Sequence, residues 1–101
     1  MPEAPTGRAN RWLTCITIAA ATTGFTPTDL REHLAGLDIE ARPTWKPMHL
    51  QPVFEACPSR LDGTSARLFA TGLCLPSGSS LSPADQDRVI TAILDLAAAR
   101  R

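Results

Sequence analysis

Four prolines lie close together in the middle of the chain, in the stretch "RPTWKPMHLQPVFEACP". Proline fixes φ and has no N–H to donate, so neither a helix nor an inner strand continues through prolines at this spacing. A long irregular segment must therefore separate two more regular parts of the chain. The segment is also apolar, because it carries Trp45, Met48, Leu50, Val53 and Phe54.

A proline-stiffened loop this apolar is expected to be pressed against another surface, since large exposed apolar patches are uncommon. It either folds back over the sheet of its own domain or lines an interface with a missing partner lobe or subunit. The sequence leaves both possibilities open.

Two matching helix starts lie on either side of this segment. Thr26-Pro27-Thr28-Asp29 and Ser82-Pro83-Ala84-Asp85 each place a capping hydroxyl before a proline and an acidic residue in the first turn. They predict helices over 27–36 and 83–99. The apolar face of the first is expected to consist of Leu30, Leu34 and Leu37, and the stripe on the second of Val89, Ile90, Ile93, Leu94 and Ala97.

Three short strands and one further helix complete the predicted organisation. "RWLTCITIA" predicts a strand over 11–19, and its nearly continuous apolarity favours an inner position in the sheet. "IEARP" predicts a short strand and "LCLP" at 73–76 a third. Residues 65–71 predict a short helix with Leu68 and Phe69 directed inward and Gly72 as its stop.

These elements predict an α+β fold with helices packed on one face of a short sheet. Residues 1–10 are expected to be a linker or disordered terminus, and residues 11–101 a single domain. With 101 residues, the chain has room for one modest core.

Composition excludes several classes of function. Ten basic and ten acidic residues cancel, which argues against nucleic acid as a partner. The longest apolar-leaning run, Trp12 to Ala21, falls far short of the about 20 residues that a bilayer span needs. Three widely spaced cysteines indicate neither a disulfide framework nor a metal site. A reducing, cytoplasmic location fits best.

Lys46 and His49 are the residues that first suggest catalysis. Lys46 is the only lysine of the chain. A Schiff-base lysine needs a desolvated pocket and groups that hold its substrate, and the sequence shows neither, so a solvated or phosphate-pairing role is favoured. His49 lacks a neighbouring carboxylate, which favours hydrogen bonding or packing over proton transfer. His33 is expected at the surface or an edge. Residues 77–80 are interpreted as a turn in preference to an anion-binding site.

The stretches "RWLTCITI", "IEARPTWKPMHLQPVF" and "GLCLPSGSSLSPADQDRVI" resemble successive blocks at the C-terminal end of DegT/DnrJ/EryC1/StrS aminotransferases. The resemblance is strongest to members that aminate UDP-linked 4-keto-6-deoxy-N-acetylhexosamines in polysaccharide or glycan biosynthesis. It implies the small C-terminal lobe of a fold-type I aminotransferase, with a short, mostly antiparallel sheet. Blocks of that lobe cover about residues 8–97, and Met1 can then be an internal methionine or a misplaced start.

The resemblance also implies roles for individual residues. The pyridoxal phosphate of this family is held by the large lobe, so the chain alone is expected to hold no cofactor, no metal and no catalytic residue. The loop with Pro47 to Gln51 approaches the mouth of the active site in the family. His49 is implied to touch the sugar nucleotide or the edge of the cofactor, and Trp45 to stack on a ligand ring or pack. Lys46, Arg42 and, more weakly, Gln51 are candidates to bind the UDP-sugar, although a purely structural role is favoured for Arg42 and Gln51.

Two hypotheses from different classes follow. The first is a C-terminal fragment of an amino-transferring enzyme that is inactive alone and whose partner is the large lobe or a homodimer partner. The second is a free-standing, non-catalytic interaction module derived from that lobe. A truncated pseudogene product is a third possibility that needs no activity.

Overall fold

The computed structural model describes residues 5–10 and 12–100. Its helices and strands occur in the order β1 (Thr14–Thr17), α1 (Ala20–Thr23), α2 (Pro27–Ala35), β2 (Arg42–Pro43), α3 (Thr64–Thr71), β3 (Gly72–Leu75) and α4 (Pro83–Ala99). Two single 3₁₀ turns, Met48–Leu50 and Pro52–Phe54, lie between β2 and α3. The predicted α+β class is confirmed.

Helices α2 and α4 begin where the sequence predicts. Thr26 and Ser82 are their N-caps, and each hydroxyl accepts a hydrogen bond from the backbone N–H of an aspartate three residues later. The carboxylates of Asp29 and Asp85 accept in return from the N-cap backbone N–H groups. Two reciprocal capping boxes therefore fix both helix starts.

The core lies between these two helices and one face of the sheet. Leu30 and Leu34 of α2 and Leu73 of β3 are almost completely buried. They share one apolar cluster with Val89, Ala92 and Leu96 of α4. The helices thus cover one face of a sheet whose strand pairs are both antiparallel, as predicted.

The predicted apolar faces of α2 and α4 were partly wrong. Leu37 is 41% exposed because α2 ends at Ala35 and the following turn, which includes Asp38 at φ 56, carries Leu37 out of the helix. Ile90 and Leu94 are also exposed. The buried stripe of α4 contains Ala92 and Leu96 in their place, since the helix presents that face to α2 and β3.

The predicted inner position of the first strand was wrong. The strand order is β1-β3-β2, so β3 is central and β1 is an edge. Ile16 faces the core, but Thr14, Cys15 and Thr17 are exposed. The prediction also began the strand at residue 11, which lies outside the described residues, and ended it at residue 19, whereas Thr17 is the last strand residue and a short helix follows.

The other short elements differ from their predictions in extent or burial. The strand predicted for "IEARP" is reduced to Arg42–Pro43, although Ile39 before it is buried in the core. Helix α3 ends at Gly72 as expected, but Leu68 is 44% exposed and Phe69 only half-buried.

The proline-rich segment contributes no buried residue to the core. From Glu40 to Thr71 no residue is buried. The Cα radius of gyration is 15.8 Å, larger than the about 13 Å of a compact domain of this length. The segment therefore lies outside the core, and Trp45, Met48, Leu50 and Val53 are exposed.

Candidate functional site

A cavity lies at the end of the sheet where β2, the start of β1 and the turn after β3 meet. It has a volume of about 770 Å³. The indole rings of Trp12 and Trp45 pack against each other at its edge, with centroids 6.1 Å apart and planes tilted by 45°. Its polar lining includes Asn10, Glu40, Arg42, Ser77 and Ser79.

Arg42 lines this cavity but already has an anionic partner. Its guanidinium lies 2.7 Å from a carboxylate oxygen of Glu40, and Nε donates to the same oxygen. Both side chains are about three quarters exposed, so the pair contributes little to stability. A negatively charged ligand would have to compete with Glu40 for Arg42.

Trp45 packs on Trp12, which the sequence interpretation did not single out. Trp45 is nevertheless 63% exposed and Trp12 69% exposed. Each indole therefore leaves much of its surface for a ligand ring or a protein partner. The aromatic pair joins the segment before β1 to the segment after β2, the two edge strands of the sheet, which no local sequence pattern indicates.

The loop after β2 is held by its own backbone and by helix α3. The Thr44 hydroxyl donates to the carbonyl of Leu68 at 3.1 Å. The amide nitrogen of Gln51 donates to the carbonyl of Lys46 at 3.1 Å, across the 3₁₀ turn that contains His49. Gln51 therefore shapes the loop, and the side chain of Lys46 is exposed.

His49 is half-buried and lines a different cavity from Arg42 and Trp45. That cavity has a volume of about 270 Å³, and Phe54, Cys57 and Arg60 are among its other lining residues. Neither cavity includes Lys46 in its lining. Of the five predicted ligand residues, the structure brings Arg42 and Trp45 together and leaves His49 on a separate surface.

Two secondary predictions can be compared with the structure. The 77–80 segment is a turn, in which the Ser77 hydroxyl donates to the Leu75 carbonyl and accepts from the Thr14 N–H. His33 is not a free surface residue, because its Nε2 lies 3.1 Å from the Ala92 carbonyl between α2 and α4.

Sequence reasoning did not place Glu40, Trp12 or Ser77 at the larger cavity. Glu40 could have been found, because residues two apart in an extended segment share a face and place its carboxylate beside Arg42. Trp12 and Ser77 could not, since their position depends on the pairing of β1 with β3.

Two further observations concern the described part of the chain. Within residues 5–10 and 12–100, no helix has both the length and the apolarity that a membrane span requires. In the same ranges, no three histidine, cysteine or acidic side chains gather in a way that could hold a metal ion.

Comparison with known proteins adds what the geometry alone does not. A sequence model of the DegT/DnrJ/EryC1/StrS aminotransferase family matches residues 1–94. The chain is 45% identical over 100 residues to the putative pyridoxal phosphate-dependent aminotransferase EpsN of Bacillus subtilis, covering 95% of the chain and 25% of EpsN. It is similar in structure to a DegT DnrJ EryC1 StrS aminotransferase from Brucella abortus, with a TM-score of 0.73 and 29% identity. That match covers 93% of the chain and 25% of the Brucella protein, so the chain spans about a quarter of these relatives.

Proposed function

The chain belongs to the DegT/DnrJ/EryC1/StrS aminotransferase family, and on this premise we propose that it is the small C-terminal lobe of a sugar-nucleotide aminotransferase. The complete enzyme would transfer an amino group from an amino acid such as glutamate to a 4-keto sugar nucleotide. It would do so in the cytoplasm, in the biosynthesis of a polysaccharide or glycan. By itself the chain would not catalyse the transfer.

The observation that carries this proposal is the apolar segment that leaves the core. Trp45, Met48 and Val53 are each more than half exposed. The relatives are about four times as long as the chain, which provides the surface that would cover this segment. Burying such side chains against a large lobe is favourable by about 25 cal/mol per Å² of apolar surface.

We infer that the described residues do not hold pyridoxal phosphate on their own. A cofactor lysine must lie in a desolvated pocket that can also hold a phosphate group. Lys46 is exposed and lines neither of the two cavities near it. We therefore assign the amine that binds the cofactor to the large lobe of the complete enzyme.

The residues of this chain would then act on the sugar nucleotide. His49 lies on a stiff turn between Pro47 and Pro52, where its ring can donate a hydrogen bond to a ligand held between the two lobes. Lys46 is free to pair with a diphosphate. Arg42 and Trp45 would contact the ligand from the larger cavity, and Gln51 would keep the histidine turn in shape.

A labelling experiment tests the assignment of the cofactor amine. The purified chain is mixed with pyridoxal phosphate and reduced with borohydride, and the modified peptide is identified by mass spectrometry. We expect no stoichiometric phosphopyridoxyl label, and a Lys46→Arg chain should behave in the same way. Specific, stoichiometric labelling of Lys46 that the Lys46→Arg chain lacks would overturn the proposal.

A further inference from the structure

Two thiols lie face to face in the sheet although they are far apart in the sequence. Cys15 of β1 and Cys74 of β3 are direct cross-strand partners, and their sulfur atoms are 3.5 Å apart. All three cysteines of the chain are free. The wide sequence spacing of the cysteines argued against a disulfide, but the antiparallel pairing of β1 with β3 brings Cys15 and Cys74 into contact.

The position of this pair in the ladder suits a covalent bond. The N–H of Ile18 donates to the carbonyl of Thr71 at 2.8 Å, which makes these two residues a hydrogen-bonded pair of the same register. Such pairs alternate along an antiparallel ladder, so Cys15 and Cys74, three residues further on, form a non-hydrogen-bonded pair. In such pairs the Cα atoms are about 4.5 Å apart, within the roughly 4.4–6.8 Å that disulfides span.

The two thiols differ in their access to solvent. They lie on the sheet face opposite the core, because the neighbouring pair Ile16 and Leu73 faces inward. Cys15 is exposed, whereas Cys74 is 9% exposed and lines the cavity beside the two tryptophans. A dissolved reagent therefore reaches Cys15 first, and the thiol nearest to Cys15 is that of Cys74.

The electrostatics agree with this order. Burial, with a smaller effect of the hydrogen bond to Cys15, raises the pKa of the Cys74 thiol. A thiol with a raised pKa is less often the attacking thiolate when a reagent arrives.

We propose that Cys15 and Cys74 form a dithiol site that reacts with small-molecule disulfides, such as oxidised glutathione, and closes to a reversible cross-strand disulfide. The thiolate of Cys15 attacks one sulfur of the reagent, forming a mixed disulfide and releasing one glutathione thiol. Cys74 then loses its proton, attacks the sulfur of Cys15 and releases the second glutathione thiol. The protein loses two protons and two electrons, which reduce one disulfide of the reagent to two thiols.

The closed form would tie the edge strand to the central strand. Closure shortens the sulfur–sulfur distance from 3.5 Å to about 2.05 Å, a movement that side-chain rotation can supply. The bond joins residues 59 positions apart, so it would also restrict the unfolded chain and stabilise the fold. Because the site stands on the sheet alone, it does not depend on the proposed aminotransferase role.

The test uses the chain with Cys57→Ser, in which only the proposed pair remains. The folded protein is incubated with oxidised glutathione, unfolded, alkylated and weighed by mass spectrometry. We expect a chain that is two hydrogens lighter, carries no glutathione, has no alkylatable thiol and regains both thiols with dithiothreitol. As an independent readout, the fluorescence of Trp12 and Trp45 should fall on closure, since both line the cavity next to Cys74.

Matched variants test whether the disulfide forms between Cys15 and Cys74. Cys15 is exposed, so adding Cys15→Ser should abolish disulfide formation and leave the circular dichroism spectrum unchanged. If serine disturbs the strand, Cys15→Ala repeats the test. The native sequence, treated in parallel, shows through Cys57 that the reagent is active. Two alkylatable thiols or stable glutathione adducts on the folded Cys57→Ser chain would overturn the proposal.

Discussion

At the scale of single residues, the two capping aspartates show how a local contact changes the chemistry of a side chain. The hydrogen bonds that Asp85 accepts from the Ser82 hydroxyl and the Ser82 backbone N–H lower the pKa of its carboxyl group. Hydrogen bonds from the backbone and hydroxyl of Thr26 do the same for Asp29. In both cases the folded protein favours the charged form over the protonated one.

This shift predicts how the stability of α4 depends on pH. Because the folded pKa of Asp85 is lowered, its contribution is present above the usual aspartate pKa of about 3.9 and is lost as pH falls through the lower folded value. Asp85→Asn should therefore lower Tm at neutral pH and flatten the decrease in Tm on acidification. The measurement is thermal unfolding by circular dichroism between neutral and acidic pH.

Asp95→Asn, at an exposed position near the other end of the same helix, is the matched control. It should leave both Tm and its pH dependence close to those of the native sequence. Equal effects of the two substitutions would show that total charge, and not the cap, determines the acid sensitivity.

Arg42 shows which contacts of the candidate site can be predicted from neighbouring residues. The resemblance to the family made it a candidate for an anionic ligand, with a structural role favoured, and its carboxylate partner in the structure is Glu40, two residues earlier. Alternation along an extended segment was sufficient to find that partner. The separation of His49 from Arg42 and Trp45 was not predictable, because it depends on how the proline-rich segment leaves the sheet.

At the scale of elements, the sequence was most informative where the deciding interaction is local. The starts of α2 and α4 followed from capping hydroxyls, prolines and aspartates that interact within one turn. The edge position of β1 did not follow from local residues, because it depends on which strand pairs with both of the others. β3 takes the centre, with Leu73 in the core and Cys74 flanked by β1 and β2.

Gly72 lies where α3, β3 and the loop after β2 meet. There is no room at this position for a side chain larger than hydrogen. A Cβ at this position would contact the Leu68 carbonyl oxygen and lie 2.6 Å from side-chain atoms of Thr44. Gly72→Ala should therefore destabilise the fold by about 1–3 kcal/mol, as overpacking does elsewhere. Chemical denaturation followed by circular dichroism measures this change.

Gly78→Ala provides the comparison, because a Cβ there would meet its nearest atom, the Ser80 hydroxyl, at 3.9 Å. Its effect should remain within about 0.5 kcal/mol, which is typical of surface positions. A Gly72→Ala chain as stable as Gly78→Ala would mean that the loop after β2 is not held against α3 as described.

At the scale of the whole molecule, the chain has a small core and a large open apolar surface. Its core is formed by α2, α4 and the sheet, whereas Glu40 to Thr71 contains no buried residue. Such a segment needs a covering surface, which the additional length of the relatives can provide. A free-standing interaction module would bind its partner through the same side chains, so exposure alone does not separate the two hypotheses.

A chimera separates them. The quarter of Bacillus subtilis EpsN that aligns with this chain is replaced by the chain itself, and EpsN without that quarter is the negative control. The measurement is amino transfer from glutamate to the acceptor proposed above, a UDP-linked 4-keto-6-deoxy-N-acetylhexosamine, with intact EpsN as the positive control. His49→Ala is compared with Glu55→Ala, an exposed residue on the same loop, as the matched control within the chimera.

We expect the chimera to transfer the amino group and the truncated EpsN to be inactive. His49→Ala should raise KM for the sugar nucleotide by about tenfold, the effect of losing about 1.4 kcal/mol of binding, while Glu55→Ala leaves KM unchanged. A chimera that folds and retains pyridoxal phosphate but transfers no amino group would contradict the assignment of this chain as an aminotransferase lobe.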